Sequence, residues 1–148
     1  MPKEIKYGYL FGPRVFVNAW PIAASQNFQN NSGKWVKLDS SDRVTIADSG
    51  DTQIEGWAEV GDFTSSATAA ADVASVDLSY LAVYRMPADA DPASTRGETC
   101  DLIVNSTNQQ ADIGESNEDV IKIVDFDTVA DTVDVMMSPI KAFTAGVL

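Results

Sequence analysis

Twenty-two of the 148 residues are Asp or Glu, and many recur at short spacing. The sets are Asp39 with Asp42, Asp48 with Asp51, Asp89 with Asp91, and the group Asp125, Asp127, Asp131 and Asp134. Carboxylates so placed suit two kinds of chemistry. Oxygens converging from one loop coordinate Ca²⁺, and two carboxylates flanking a glycosidic bond can hydrolyse it without histidine. Neither pattern is complete here. An EF-hand loop needs acids at alternating positions, a central Gly and a closing Glu, and no set supplies them. No spacing in the chain places two carboxylates across a cleft. An Asp that accepts a hydrogen bond from its own turn is the simpler account of these sets.

The missing residue types narrow the chemistry further. The chain has no histidine, which removes Ser-His-Asp and Cys-His catalysis, imidazole acid–base chemistry and His-containing metal sites. Cys100 is the only cysteine, so no disulfide closes within the chain, and it reads as a small buried residue on a strand. Neither a GxxxxGK loop nor a GxGxxG turn is present to cradle phosphate. Three tryptophans can stack on sugar rings. Trp35 and Trp57 fall in strand-like runs and read as packing residues, whereas Trp20, beside Pro21 in an expected turn, is the candidate for an exposed contact. No catalytic residue, cofactor site or metal site is assigned, and the chain reads as a non-enzyme.

Short apolar runs broken by turn residues position these groups, the pattern of an all-β sandwich or barrel with little helix. Runs at Tyr7 to Phe11 and Val15 to Val17 flank Gly12-Pro13, and a polar loop follows over residues 25–33. Further strands are expected at Lys34 to Leu38, Arg43 to Ala47 and Gln53 to Val60, with turns at Asp39 to Asp42 and Asp48 to Asp51. The Ala/Ser/Thr-rich stretch Thr64 to Ala74 reads as a loop or a short helix. The run Val76 to Met86 reads as one strand, ended by an exposed turn at Met86 to Pro92. Strands are also expected near Thr99 to Val104, Val120 to Phe126 and Thr132 to Met137, with a single turn at Ser116 to Asp119. The last residues, Ala142 to Leu148, are apolar enough to dock.

At 45% hydrophobic residues the chain has enough apolar material for a core, too much for a disordered acidic tail. No apolar stretch approaches the roughly 20 residues of a membrane-spanning helix, and the first residues lack a secretory signal's apolar core. The formal net charge is −12, unevenly spread. Up to Leu38, five bases face one acid, a net of +4; from Asp39 onward the net is −16. An acidic body repels phosphate backbones, so neither nucleic acid nor membrane is an expected partner. A basic leading segment suits an acidic protein surface instead.

The stretch from Lys34 through Leu38-Asp39-Ser40, Val44-Thr45-Ile46 and Asp48-Ser49-Gly50-Asp51 to Gly56-Trp57-Ala58 resembles the head decoration (cement) proteins of tailed bacteriophages, the lambda type and its longer relatives. The shared features are a strand ending in Leu-Asp, a Ser-rich turn, a short apolar strand, an acidic Gly-containing turn and a strand carrying Gly-x-Ala. Gly97 to Leu102, Gln110 to Ile113 and Val120 to Val124 resemble the second half of the longer members. The resemblance implies a compact β-sandwich or barrel-like (β-tulip type) domain and a homotrimer bound to the major capsid protein on the outer capsid surface of the virion, assembled in the host cytoplasm. It implies an extended N-terminal arm that adds a strand to the shell. The arm residues Pro2, Lys3, Glu4, Ile5, Lys6 and Tyr7 are then the capsid-binding candidates. On this reading residues 1–12 form the arm and first strand, and residues 13–148 one β-rich decoration domain. The competing readings are a glycan-binding or host-adhesion β-module using Trp20, and a carboxylate glycosidase.

Overall fold

The computed structural model describes residues 7–29 and 33–138. Eleven strands and no helix are found among them: β1 (Gly8–Phe11), β2 (Phe16–Pro21), β3 (Lys34–Leu38), β4 (Val44–Ile46), β5 (Gly56–Glu59), β6 (Val73–Asp77), β7 (Val83–Pro87), β8 (Thr99–Asn105), β9 (Asn108–Asp112), β10 (Ile121–Asp127) and β11 (Thr132–Met137). They pair antiparallel into two sheets, one ordered β1-β7-β11-β10-β8-β9 and the other β2-β6-β5-β3-β4. The protein is an all-β sandwich.

Both sheets curl. A parallel bridge between Ala88 and Ala111 brings β9 back to the end of β7, and another between Ile22 and Val44 ties the end of β2 to β4. The middle of the smaller sheet, at β3 and β5, is buried on both faces. Trp35 and Trp57 point into the core against the larger sheet, while their neighbours Val36 and Ala58 point into a second core with Ile22, Phe28, Val44, Ala74 and Val76. The two-residue period of a strand produces that division. Phe28 and Phe63 stack in the second core, with ring centroids 5.4 Å apart, so the loops after β2 and β5 roof it. Cys100 lies buried on β8 as a packing residue.

Several expected elements change. The run Val76 to Met86 is two strands in different sheets, β6 and β7. Asp77 ends β6 by accepting the backbone N–H of Ser79 at 3.0 Å, and residues 78–82 carry the chain across the sandwich. Strand β7 runs through Pro87, which pairs with Thr132. Proline is tolerated there because β1 stops opposite Arg85 and β9 reaches this flank only at the Ala88–Ala111 bridge, so no strand pairs with residue 87 on that side. Trp20 and Pro21 belong to β2, an outer strand, and not to a turn. The stretch Thr64 to Ala74 holds bends and turns before β6 and no helix, and β5 begins only at Gly56. Strand β9 was not among the expected strands. The boundary expected between residues 12 and 13 falls in the turn joining β1 to β2.

Candidate functional site

Most of the acids singled out from the sequence are engaged in holding the fold. Asp39 accepts the N–H groups of Ser41 and Arg43 at 2.8 and 3.0 Å, and these bonds, the Arg43 one foremost, lower its pKa below the ordinary carboxylate value. Asp51 binds the Asp48 N–H and pairs with Lys37. Asp91 accepts the Ala93 N–H at 3.1 Å. Asp127 closes the β10–β11 turn through Ala130 and Val129, which lower its pKa. Asp134 holds Arg85 by two bonds of 2.7 and 3.1 Å, and Asp125 holds Arg96 at 2.7 Å. The depression of about 400 Å³ beside Asp125, Asp127 and Asp134 is therefore lined by carboxylates already bound to guanidinium or backbone. Among the described residues no group of three or more His, Cys, Asp or Glu is placed to hold a metal ion.

Two buried polar residues tie the sheets together. Asp77 on β6 accepts the Val15 N–H at 2.9 Å and the Tyr84 hydroxyl at 2.6 Å, reaching from one sheet to the other. Burial, then the bond to Asp77, raises the Tyr84 pKa above that of a free phenol, so Tyr84 remains the donor. Tyr84 stacks on Trp57 at 4.5 Å and meets Trp35 edge-on at 5.4 Å. On the far side of the sandwich the Gln109 amide acts as a peptide group. It accepts the Trp35 N–H at 2.8 Å and donates to the carbonyls of Trp35 and Ala47 at 2.9 and 2.8 Å.

A cavity of about 240 Å³ lies against this amide, lined also by Gln26 and Lys34. Its amides are engaged: Gln26 accepts the Ile46 N–H and donates to the Ala24 carbonyl. Burial lowers the pKa of Lys34, with Asp62 opposing the shift.

The remaining distinctive surface is the β1–β2 side. Each of these strands is the outer member of its sheet; they carry exposed Tyr9, Phe11 and Phe16, with Val15 exposed in the turn between them and Leu81 on the nearby turn. Gly12 makes this turn possible. Its φ is +101°, and a Cβ there would run into the Leu81 carbonyl. The Arg14 guanidinium sits 3.5 Å above the Tyr9 ring and binds Glu59 at 3.0 Å, fixing the turn over the sheet edge. An outer strand with exposed apolar side chains is a template for pairing with another chain.

Of the candidates from sequence, Pro2, Lys3, Glu4, Ile5 and Lys6 lie outside the described residues. Tyr7 lies directly before β1 and is half-buried. Trp20 is half-buried against the second core with Val17 and Leu38, which corrects its reading as an exposed turn residue. Sequence reasoning missed the edge residues Tyr9, Phe11 and Phe16, because apolar strand residues look alike whether a sheet covers them or ends at them. The one available signal was their position in the first runs of the chain. Comparison with protein-family models, curated proteins and solved structures gives no match.

Proposed function

We propose that this protein is a structural capsid decoration (cement) protein that binds the outer surface of an expanded phage head, bridging its major capsid subunits as a homotrimer. The observation that carries the reading is the edge position of β1, the strand that residues 1–7 precede in sequence. They lead directly into β1, an outer strand whose Tyr9 and Phe11 are exposed. An extended segment that joins a foreign sheet edge gains main-chain hydrogen bonds, and its basic Lys3 and Lys6 suit an acidic partner. Three such arms on one trimer would make each later contact intramolecular. The acidic body supports solubility on a crowded shell. The engagement of its carboxylates by turns and arginines fits a protein without catalysis. The glycan-binding reading loses support, because its platform, Trp20, packs against the second core.

Co-sedimentation with expanded, undecorated heads of the source phage tests the proposal. The expected result is saturable binding at a fixed ratio to the capsid protein and shells that resist higher temperature. A well-folded protein that leaves intact shells unbound would overturn it. Deleting residues Pro2 to Tyr7 should abolish binding and leave the β-body folded; normal binding by that variant would refute the arm assignment.

A further inference from the structure

The larger sheet sends its two ends in different directions. Gly8 lies opposite Arg85 and Phe11 opposite Val83, so β1 starts nearer the Pro87 end of β7. Strand β11 runs in the same direction as β1 and so ends at the opposite end of the sheet: Thr132 faces Pro87, Val135 faces Tyr84, and Met137 ends the strand opposite Ile121 of β10. Ser138 then donates its N–H to the Val120 carbonyl at 2.9 Å, which fixes where the chain leaves. At that point lies a groove of about 210 Å³, with Ile54, Leu78, Tyr80 and Met137 as its apolar lining and Gln53 and Glu55 as its polar part. Met137, the last residue of β11, is part of this lining.

We propose that the C-terminal segment, residues 139–148 of the same chain, docks in this groove. Four observations favour it over a small ligand or a second copy. The segment starts two residues beyond the lining residue Met137, and its ten residues reach about 33 Å when extended. Ile140, Phe143, Val147 and Leu148 supply the apolar side chains that Leu78 and Tyr80, both half-buried, can still accept. Lys141 is the segment's one charged side chain, and Glu55 lies in the groove, so the charges are complementary. Ser138 is buried, yet its hydroxyl has no hydrogen-bond partner among the described residues. A docked segment would bring main-chain polar groups within its reach.

The test is a full-length chain with Val147→Cys, carrying a nitroxide spin label at that position and uniform ¹⁵N. Cys100 is buried and its thiol is pushed up to about 12, by burial and then by nearby acids such as Asp101, so the label goes to the new cysteine. The expected result is loss of most amide intensity at Ile54, Leu78 and Tyr80, restored when the nitroxide is reduced. A second sample mixes spin-labelled chains without ¹⁵N with unlabelled ¹⁵N chains, and should show no loss at these positions. Full intensity in the first sample would overturn the docking. Equal loss in the mixed sample would overturn it in favour of the tail of a second copy.

Discussion

Gln109 stands where a neighbouring strand would otherwise be needed, since one side-chain amide satisfies three main-chain groups of the opposite sheet. Replacing it with leucine keeps the volume but takes the side-chain partner from the buried Trp35 N–H and Ala47 carbonyl, while the Trp35 carbonyl keeps only the Ala47 N–H at 3.0 Å. Gln109→Leu should cost about 3 kcal/mol or more, read as a lower urea midpoint with an unchanged slope. Tyr84→Phe is milder, because Asp77 retains the N–H groups of Val15 and Ser79; a loss of about 2 kcal/mol is expected. Asp112 behaves differently. Its carboxyl is pushed up to about 6, first by partial burial, then by a hydrogen bond with Asp89 and the negative charge of Asp89, Glu115 and Asp101. The folded chain thus holds this proton more tightly than the unfolded chain. Its contribution is complete below the ordinary value of 3.8 and is lost as pH rises through about 6. Asp112→Asn keeps a neutral partner for Asp89 at every pH. The variant should melt with the parent near pH 4 and above it near pH 7.5, and a constant difference across that range would refute the carboxyl pair.

At the scale of elements, β5 and β6 approach so closely that residue 56 must be glycine. A Cβ there would overlap the Asp77 carbonyl oxygen and crowd Val76. Gly56→Ala should therefore cost about 2–3 kcal/mol by prising these strands apart. Gly61→Ala, with open space around its Cβ, should stay within about 0.5 kcal/mol in the same thermal melts. Strands that alternate or bury both faces were legible in the sequence: β11 is found where Thr132 to Met137 suggested it, and β3 where Lys34 to Leu38 did. Strand β9 was not, because Asn108-Gln109-Gln110-Ala111-Asp112 carries no apolar alternation; its inward residue Gln109 is buried by backbone bonds rather than by hydrophobicity. The break between β6 and β7 was equally hidden, since Val76 to Met86 is a single apolar-rich run with no Gly or Pro, and the Asp77–Ser79 contact divides it. The acidic turns at Asp39 and Asp48 were legible because an Asx contact needs only neighbours in sequence. The exposed β1–β2 side was not, because which strand is outermost depends on pairings as distant as Phe16 with Asp77.

The whole molecule carries a net charge of −12, and its response to pH joins two opposed sets of carboxyls. Asp39, Asp101, Asp125 and Asp127 all have lowered values. For Asp101, burial pulls upward but is outweighed by bonds from Asp119, Glu118 and Asn117; for Asp125, the Arg96 bond leads. Stability from this set is complete above the ordinary carboxylate value and is lost as pH falls below it. Asp112 and the mutual repulsion of the acidic body act in the other direction, weakening the fold as pH rises towards and beyond neutrality. The thermal midpoint should therefore peak on the acidic side, between about pH 4 and 6, and decline towards pH 8. Salt separates the two causes of that decline. About 0.5 M NaCl shortens the screening length to a few Å, so it should recover the part due to long-range repulsion and leave the short-range Asp89–Asp112 part in place. Asp112→Asn in high salt should then give a nearly level midpoint from about pH 5 to 8. A parent profile that rises steadily to pH 8 would show that the acidic body is not under repulsive strain, and its charge would then favour solubility at no cost to the fold.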